Sequence, residues 1–206
     1  MTAVGSLQFG DDELRDLAIA WLALAVAFAI FFGRGVAVLF DPVDAVRLLV
    51  VSFLTVGVGF MCHELAHKVV AVRFGQLAAF RADYKMLGLA IVSAMAGFIF
   101  AAPGAVHHRG RITKRQHGLI AVAGPWTNLG LAALFAPLVI VPVELVFQIG
   151  ALGVLINGFL AAFNMIPFGP LDGKTVIGWS VPIWAGTLAV SVVLTVVAFL
   201  LFGFPI

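Results

Sequence analysis

Charge and cysteine are both scarce in this chain of 206 residues. Only 11% of the residues are charged, whereas 63% are apolar and the mean hydropathy is +1.14. A typical soluble domain is about half apolar and a quarter charged, so a soluble core could not bury this much apolar surface. The single cysteine, Cys62, excludes an internal disulfide framework. The composition therefore predicts a polytopic membrane protein.

The charges that are present argue against a cleaved secretory leader and against a nucleic-acid-binding protein. Residues 1–16 form a polar segment with four acidic residues and one arginine, the opposite of a basic secretory leader, so we expect the first apolar helix to be retained. The net charge of +2 is compatible with nucleic-acid binding, but the basic residues lie beside apolar runs and have no interleaved aromatic side chains. They are interpreted as cytoplasmic anchors of membrane helices, and no nucleic-acid partner is expected.

Long apolar runs divide the chain into membrane segments, each near the roughly 20 residues that a bilayer requires. The first run, 17–32, reaches residue 40 if Arg34 extends to the interface. The other four runs are 48–72, which carries two histidines, a glutamate and a lysine, and 118–141, 145–166 and 181 to the end. The predicted fold is an all-α polytopic membrane protein with about five to six transmembrane helices, forming a single membrane-embedded domain over 1–206.

A further apolar stretch, 84–103, is rich in small residues and interrupts a basic loop that extends over 73–116. Four basic residues precede this stretch and four follow it, so a single crossing would place half of them on the wrong side of the membrane. We therefore expect a re-entrant or β-hairpin insert after the second helix, with the basic loop and the N-terminus in the cytoplasm. Such an insert is tolerated at membrane depth where it lines an internal cleft.

The clearest chemical motif is His63-Glu64-Leu65-Ala66-His67. Histidines four residues apart share one face of a helix and can ligate one metal ion, and the intervening Glu64 lies within reach of the same centre. Ionisable groups in a lipid-spanning helix are costly unless they face the protein interior, which favours a functional site. At about 1.5 Å per residue, His63 lies roughly 15 Å from the end of the helix at Arg73, inside the membrane towards the cytoplasmic half.

A hydrolytic zinc site normally has three protein ligands, so a third ligand is expected from another helix. Asp172 follows the fourth run, where proline and glycine residues unwind the chain, and the predicted topology brings it to the same side of the membrane. The alternative is an ordinary interfacial aspartate that caps the next helix, followed by turn residues. Spacing alone does not separate the two interpretations.

Three motifs together resemble the site-2 protease family of intramembrane zinc metalloproteases: HELAH at 63–67, AGPWTN at 123–128 and NMIPFGPLDG at 164–173. The resemblance covers about residues 48–174 and corresponds to a minimal core without PDZ or CBS domains. It implies that His63, His67 and Asp172 bind one zinc ion and that Glu64 is the general base. It also implies that the chain is a multi-pass protein of a prokaryotic cell membrane. There it would hydrolyse peptide bonds in transmembrane substrates, as in regulated intramembrane proteolysis.

Asn164 and Asn128 fall on motif positions that the family associates with the substrate cleft. A carboxamide at Asn164 can steady an extended substrate or a developing oxyanion, and Asn128 can bind substrate or simply join two helices. Asn157 is interpreted as packing, and Gly124 as a point of close approach to the third helix. The insert offers an edge for strand addition by an unwound substrate.

Two rival functions follow from the same residues. Histidines and carboxylates inside a membrane also suit a divalent-metal transporter, although a transport path predicts ligands at several depths and not at one level. A catalytically silent substrate-binding relative is the second rival, and the intact Glu64 disfavours it. His107, His108 and His117 lie in the basic loop without metal-ligand spacing and are predicted to be interfacial.

Overall fold

A computed structural model describes residues 7–204, and within them five helical segments are long and apolar enough to cross a membrane. This result confirms the predicted fold class. The five segments are Asp11–Phe32, Pro42–Arg73, Lys114–Ile140, Glu144–Asn164 and Val181–Phe202.

The first helix, α1 (Asp11–Phe32), stops at the end of the first apolar run. Arg34 and Gly35 adopt positive φ angles of 61° and 77°, which turn the chain out of the helical path. The next residues form a separate 3-10 helix, Gly35–Phe40. The predicted continuation of the first membrane helix to residue 40 is therefore wrong, because the positive φ angles at Arg34 and Gly35 end the helical path before the apolar run ends.

The second segment is one long helical rod with a local irregularity. Helix α2 (Pro42–Ser52) begins earlier than predicted because Asp41 caps it, accepting hydrogen bonds from the amides of Val43 and Asp44. A π-helical turn, Phe53–Gly57, then leads into α3 (Val58–Arg73), which carries the HELAH motif. The indole of Trp21 donates a hydrogen bond of 3.0 Å to the Phe53 carbonyl, so α1 satisfies a backbone group at the irregular turn.

The apolar insert is flanked by two strands that pair with each other, so its two ends lie side by side. Strands β1 (Leu77–Ala82) and β2 (Gly104–Arg109) pair antiparallel, with Ala82 opposite Gly104. Between them, α4 (Tyr84–Met95) packs against α1. The expected hairpin character is confirmed, but the strands flank the predicted 84–103 stretch, whose first half is helical.

The remaining helices build the core around α3. Helix α5 (Lys114–Phe135) packs between α3 and α6 (Glu144–Asn164), and α6 packs in turn on α8 (Val181–Phe202). Glycine permits close contact between the helices: a Cβ added at Gly153 of α6 would lie 2.3 Å from the Phe135 ring. A second 3-10 helix, Ala136–Ile140, joins α5 to the turn before α6.

A short helix that the sequence did not predict, α7 (Asp172–Trp179), follows the unwound segment after α6. Its first turn lies against the end of α6, because a Cβ at Gly173 would come within 2.2 Å of the Met165 carbonyl oxygen. The Trp184 indole also donates to that carbonyl at 2.8 Å, which ties α8 to the same point. These contacts fix the position of Asp172, the first residue of α7.

Candidate active site

One face of α3 carries the three central side chains of the site. His63, Glu64 and His67 are all buried. One helical turn separates the two histidines, and their rings are nearly perpendicular with centroids 4.6 Å apart. The helix therefore presents two imidazoles to one point in the protein interior.

Asp172 reaches the same point from α7. Its Oδ2 atom lies 3.2 Å from His63 Nε2 and 3.3 Å from His67 Nε2. Among the described residues, these three form a group whose ligand atoms all lie within 4.8 Å of one another. The unwinding after α6 thus brings together side chains that are more than a hundred positions apart in the sequence.

The far nitrogen of each imidazole is held by a hydrogen-bond acceptor. His63 Nδ1 lies 2.6 Å from Asn128 Oδ1, and His67 Nδ1 lies 2.7 Å from the carbonyl oxygen of Ile120. Because these oxygens only accept, each Nδ1 carries a proton, and in the neutral form of each ring the lone pair is on Nε2, which faces Asp172. Protein groups thereby set the tautomer that metal ligation requires.

The converging atoms fit a bound cation. Two imidazole lone pairs face a carboxylate oxygen, and Asp172 Oδ2 is buried without a hydrogen-bond partner among the described residues. When both rings are neutral, electron-pair donors at this spacing repel one another unless a cation lies between them, which favours a bound metal ion. Two nitrogen ligands and one oxygen ligand form a donor set typical of catalytic zinc, which keeps its fourth position open.

Helix α5 leaves room for this centre at Gly124. A Cβ at Gly124 would lie 2.5 Å from His63 Nε2 and 2.6 Å from His67 Nε2, so any side chain would occupy the space between the ligands. The close approach predicted at Gly124 is therefore made by two imidazoles and not by another backbone. The absence of a side chain at Gly124 keeps the ligand atoms accessible.

Glu64 is held beside the ligands by the small sheet. Its Oε2 accepts a hydrogen bond of 3.0 Å from the backbone amide of Val106 in β2. That amide points away from β1, as expected at alternate positions of an antiparallel ladder. The outer edge of β2 therefore lies against the active-site face of α3.

The two predicted substrate-binding asparagines lie in different environments. Asn164 lines the cavity beside the site, and its Nδ2 donates to the Leu160 carbonyl at 3.0 Å. Asn128 is fully buried behind His63, and its Nδ2 donates to the Gly59 carbonyl and to Asn157. With its polar atoms taken by protein groups, Asn128 has contacts that support orientation of His63 and not the predicted contact with substrate.

A cavity of about 1110 Å³ opens onto Glu64 and the ligands. The insert, α1, α6 and α8 contribute most of its apolar walls, while β2 contributes its edge at Val106. His108 and His117, predicted to be interfacial, also line it, with ring centroids 5.6 Å apart. Burial, followed by the nearby charge of His117, lowers the pKa of His108 below its usual value.

Several supporting residues were not found by sequence reasoning. Asn157 bonds to Asn128, and Glu13 pairs with Lys68, the residue that follows the HELAH motif. The sequence does show each of them as a polar or charged residue within or beside an apolar helix. Such a residue needs a hydrogen-bonding or charged partner when it is buried. The identity of each partner depends on tertiary packing and is not encoded in local spacing.

The fold and site together define a class: a helical membrane protein with a His-His-Asp group that could bind a metal ion and an adjacent buried glutamate. The chain is 39% identical over 182 residues to a protein of Methanocaldococcus jannaschii named "Putative zinc metalloprotease MJ0611", covering 86% of this chain and 90% of that protein. It is 32% identical over 164 residues to "Putative zinc metalloprotease YwhC" of Bacillus subtilis, covering 70% and 74% of the two chains. The chain belongs to this family of zinc metalloproteases, and the predicted zinc cofactor is confirmed. No protein-family model and no solved structure matches the chain.

Proposed function

We propose that this protein is an intramembrane zinc metalloprotease of the site-2 protease type, which hydrolyses peptide bonds in or near transmembrane segments of membrane-protein substrates. The observation that carries the proposal is the convergence of His63, His67 and Asp172 beside Glu64, on a helix that belongs to an apolar segment of 32 residues. Ligands at one level suit hydrolysis better than an ion path, which needs sites at several depths.

The proposed chemistry divides the work between the metal and one carboxylate. Zinc supplies water activation near neutral pH and polarisation of the substrate carbonyl. Glu64 takes the proton of the attacking water and delivers it to the leaving amine nitrogen. Asn164, on the cavity wall, is proposed to steady the substrate backbone or its developing oxyanion.

The substrate must expose its backbone before attack, since a helix hides its amides in internal hydrogen bonds. We propose that the unwound segment adds to the outer edge of β2. Two observations support this docking mode: beside its contact with Glu64 that edge lines the cavity, and within residues 7–204 the sheet has two strands, so no third strand pairs with it. The Val106 amide at this edge already contacts the catalytic base, which puts a docked backbone close to the reacting atoms.

We further propose a multi-pass location in a prokaryotic cell membrane, with the active site towards the cytoplasmic half and a role in regulated intramembrane proteolysis. The basic residues around the insert support this orientation through the excess of lysine and arginine on cytoplasmic loops. Transmembrane proteins are the expected substrates and the lipid bilayer is the expected surroundings.

The test compares zinc content with cleavage of a model transmembrane substrate in detergent. Wild type is expected to bind about one zinc ion per chain and to cleave. Glu64→Gln keeps shape and hydrogen bonding but cannot take a proton, so zinc should remain while cleavage disappears. Glu144→Gln makes the same chemical change at an exposed acid and should cleave normally. Metal uptake into vesicles without any proteolysis would instead establish the transporter.

A further inference from the structure

Asn157 is a polar side chain buried in the middle of an apolar helix. It is 0% exposed, and its α6 position lies against α3 and α5. Its Nδ2 donates to the Gly153 carbonyl at 2.9 Å, and its Oδ1 accepts from Asn128 Nδ2 at 2.9 Å. Both ends of the amide are therefore engaged, and one of them points towards the metal site.

The direction of these hydrogen bonds is fixed from the far end. The Gly153 carbonyl can only accept, so Asn157 must turn Nδ2 towards it and Oδ1 towards Asn128. Asn128 must then present Nδ2 to Asn157, which leaves its Oδ1 for His63. The Gly59 carbonyl imposes the same orientation, because it accepts from Asn128 Nδ2 at 3.0 Å.

Packing leaves little freedom for Asn157 to move. A Cβ at Gly59 of α3 would lie 2.7 Å from Asn157 Oδ1, so the backbone of the active-site helix closes over the amide. Neither asparagine can exchange its protein partners for water, because both are 0% exposed. The two amides form a rigid connection from the backbone of α6 to the His63 ring.

We propose that Asn157 is a positioning residue for the zinc site: through Asn128 it holds His63 in the tautomer and orientation that turn Nε2 towards Asp172 and His67. This inference rests on the proposed function, since it deepens the role of the same site. It replaces the interpretation of Asn157 as ordinary packing. The residue acts without touching the metal or the substrate.

The experiment measures the zinc dissociation constant by competition with a chelator, in full-length detergent-solubilised protein. Asn157→Leu removes both hydrogen-bonding ends and is expected to weaken zinc binding about tenfold, the lower end of the range for partners outside the ligand shell. Asn157→Asp keeps both contacts when its carboxyl group is protonated and should restore binding towards wild type. Thr55→Val is the matched control, because it deletes another fully buried hydrogen bond, which the Thr55 hydroxyl donates to the Val51 carbonyl and not to either asparagine.

A double-substitution cycle separates positioning from general damage. If the two amides act as one unit, Asn128→Leu combined with Asn157→Leu should bind zinc no more weakly than Asn128→Leu alone. A purely structural role would lower the melting temperatures of the zinc-free and zinc-bound forms equally and leave the dissociation constant unchanged. If Asn157→Leu does not fold, Asn157→Ser, whose hydroxyl is too short to join both partners, takes its place.

The outcomes distinguish this inference from the proposed function. Zinc binding by Asn157→Leu as tight as by Thr55→Val, or losses that simply add in the double variant, would overturn the positioning role alone. Failure of wild type to bind zinc would overturn the zinc site and the inference together. Tight zinc binding without proteolysis would refute the proposed protease and leave the positioning role intact.

Discussion

Glu13→Gln tests whether a buried ion pair holds the active-site helix to the rest of the fold. Lys68 is 1% exposed and Glu13 is 3% exposed, and Lys68 Nζ donates to the two Glu13 carboxylate oxygens at 2.6 and 2.5 Å. Glu13 also accepts from the Phe80 amide of β1 at 3.0 Å. One carboxylate therefore joins α1, α3 and the small sheet.

The expected loss follows from removing one charge of a buried pair, which typically costs about 3–5 kcal/mol. Glutamine at position 13 still offers one acceptor oxygen, so the expected cost lies near the lower end, about 3 kcal/mol. For a chain of this length, about 2–4 °C per kcal/mol gives a melting temperature roughly 6–12 °C lower. The assay is thermal unfolding in detergent, followed by circular dichroism.

The neighbouring acid provides the matched control for this prediction. Asp12→Asn makes the same change one residue away, where the Asp12 side chain is 66% exposed and pairs with Arg15 on the surface. It should leave the melting temperature close to that of wild type. Adding Lys68→Met to Glu13→Gln removes the unpaired charge and should recover most of the loss. Equal melting temperatures for Glu13→Gln and Asp12→Asn would refute the anchoring role of the pair.

Three other measurements check separate parts of the structure. Gly124→Ala inserts a methyl group between the two histidine Nε2 atoms and should abolish zinc binding, whereas Gly130→Ala, which meets nothing within 4 Å on the same helix, should bind zinc normally. The pKa of His108 is lower in the folded protein than in the unfolded chain, where it is about 6.5. The contribution of His108 to the free energy of unfolding should therefore be fully present above a pH of about 6.5 and should fall as the pH drops below that value, because the unfolded chain then binds the proton more readily. Nuclear magnetic resonance titration should give a low midpoint, and His108→Gln should flatten that part of the stability profile. Cysteines at Lys85 and Arg109 in a cysteine-free background should react with an impermeant reagent from one face of the membrane only; labelling from opposite faces would contradict the hairpin character of the insert.

Strong local chemistry explains which elements could be predicted from sequence. Long apolar runs identified the spans because few charges interrupt them, and the spacing of His63 and His67 placed both on one helical face. The end of α1 was missed because Arg34, a residue that usually avoids positive φ, makes the turn there. Helix α7 was missed because it is only eight residues long and begins against the end of α6.

The site was predictable only as far as its motifs extend. From local sequence, Asp172 could equally be a metal ligand or an aspartate that caps the next helix. In the structure its position is fixed by contacts of Gly173 and Trp184 with the Met165 carbonyl. The roles of Asn128 and Asn157 depend on contacts among α3, α5 and α6, which are far apart in the sequence. Such pairings cannot be read from periodicity, because periodicity indicates which face is buried and not what lies opposite.

Because Ala82 and Gly104 are directly paired, the chain leaves the small sheet and returns to it at neighbouring positions, so residues 83–103 can be shortened without separating the two strands. Replacing 83–103 with a two-residue Asn-Gly turn would convert β1 and β2 into a simple hairpin while keeping the Val106 amide on Glu64. The change would remove α4 and one wall of the cavity but none of the metal ligands. The insert can therefore change in length and composition, with loss of the contacts between α4 and α1, while the three residues grouped at the metal site keep their positions.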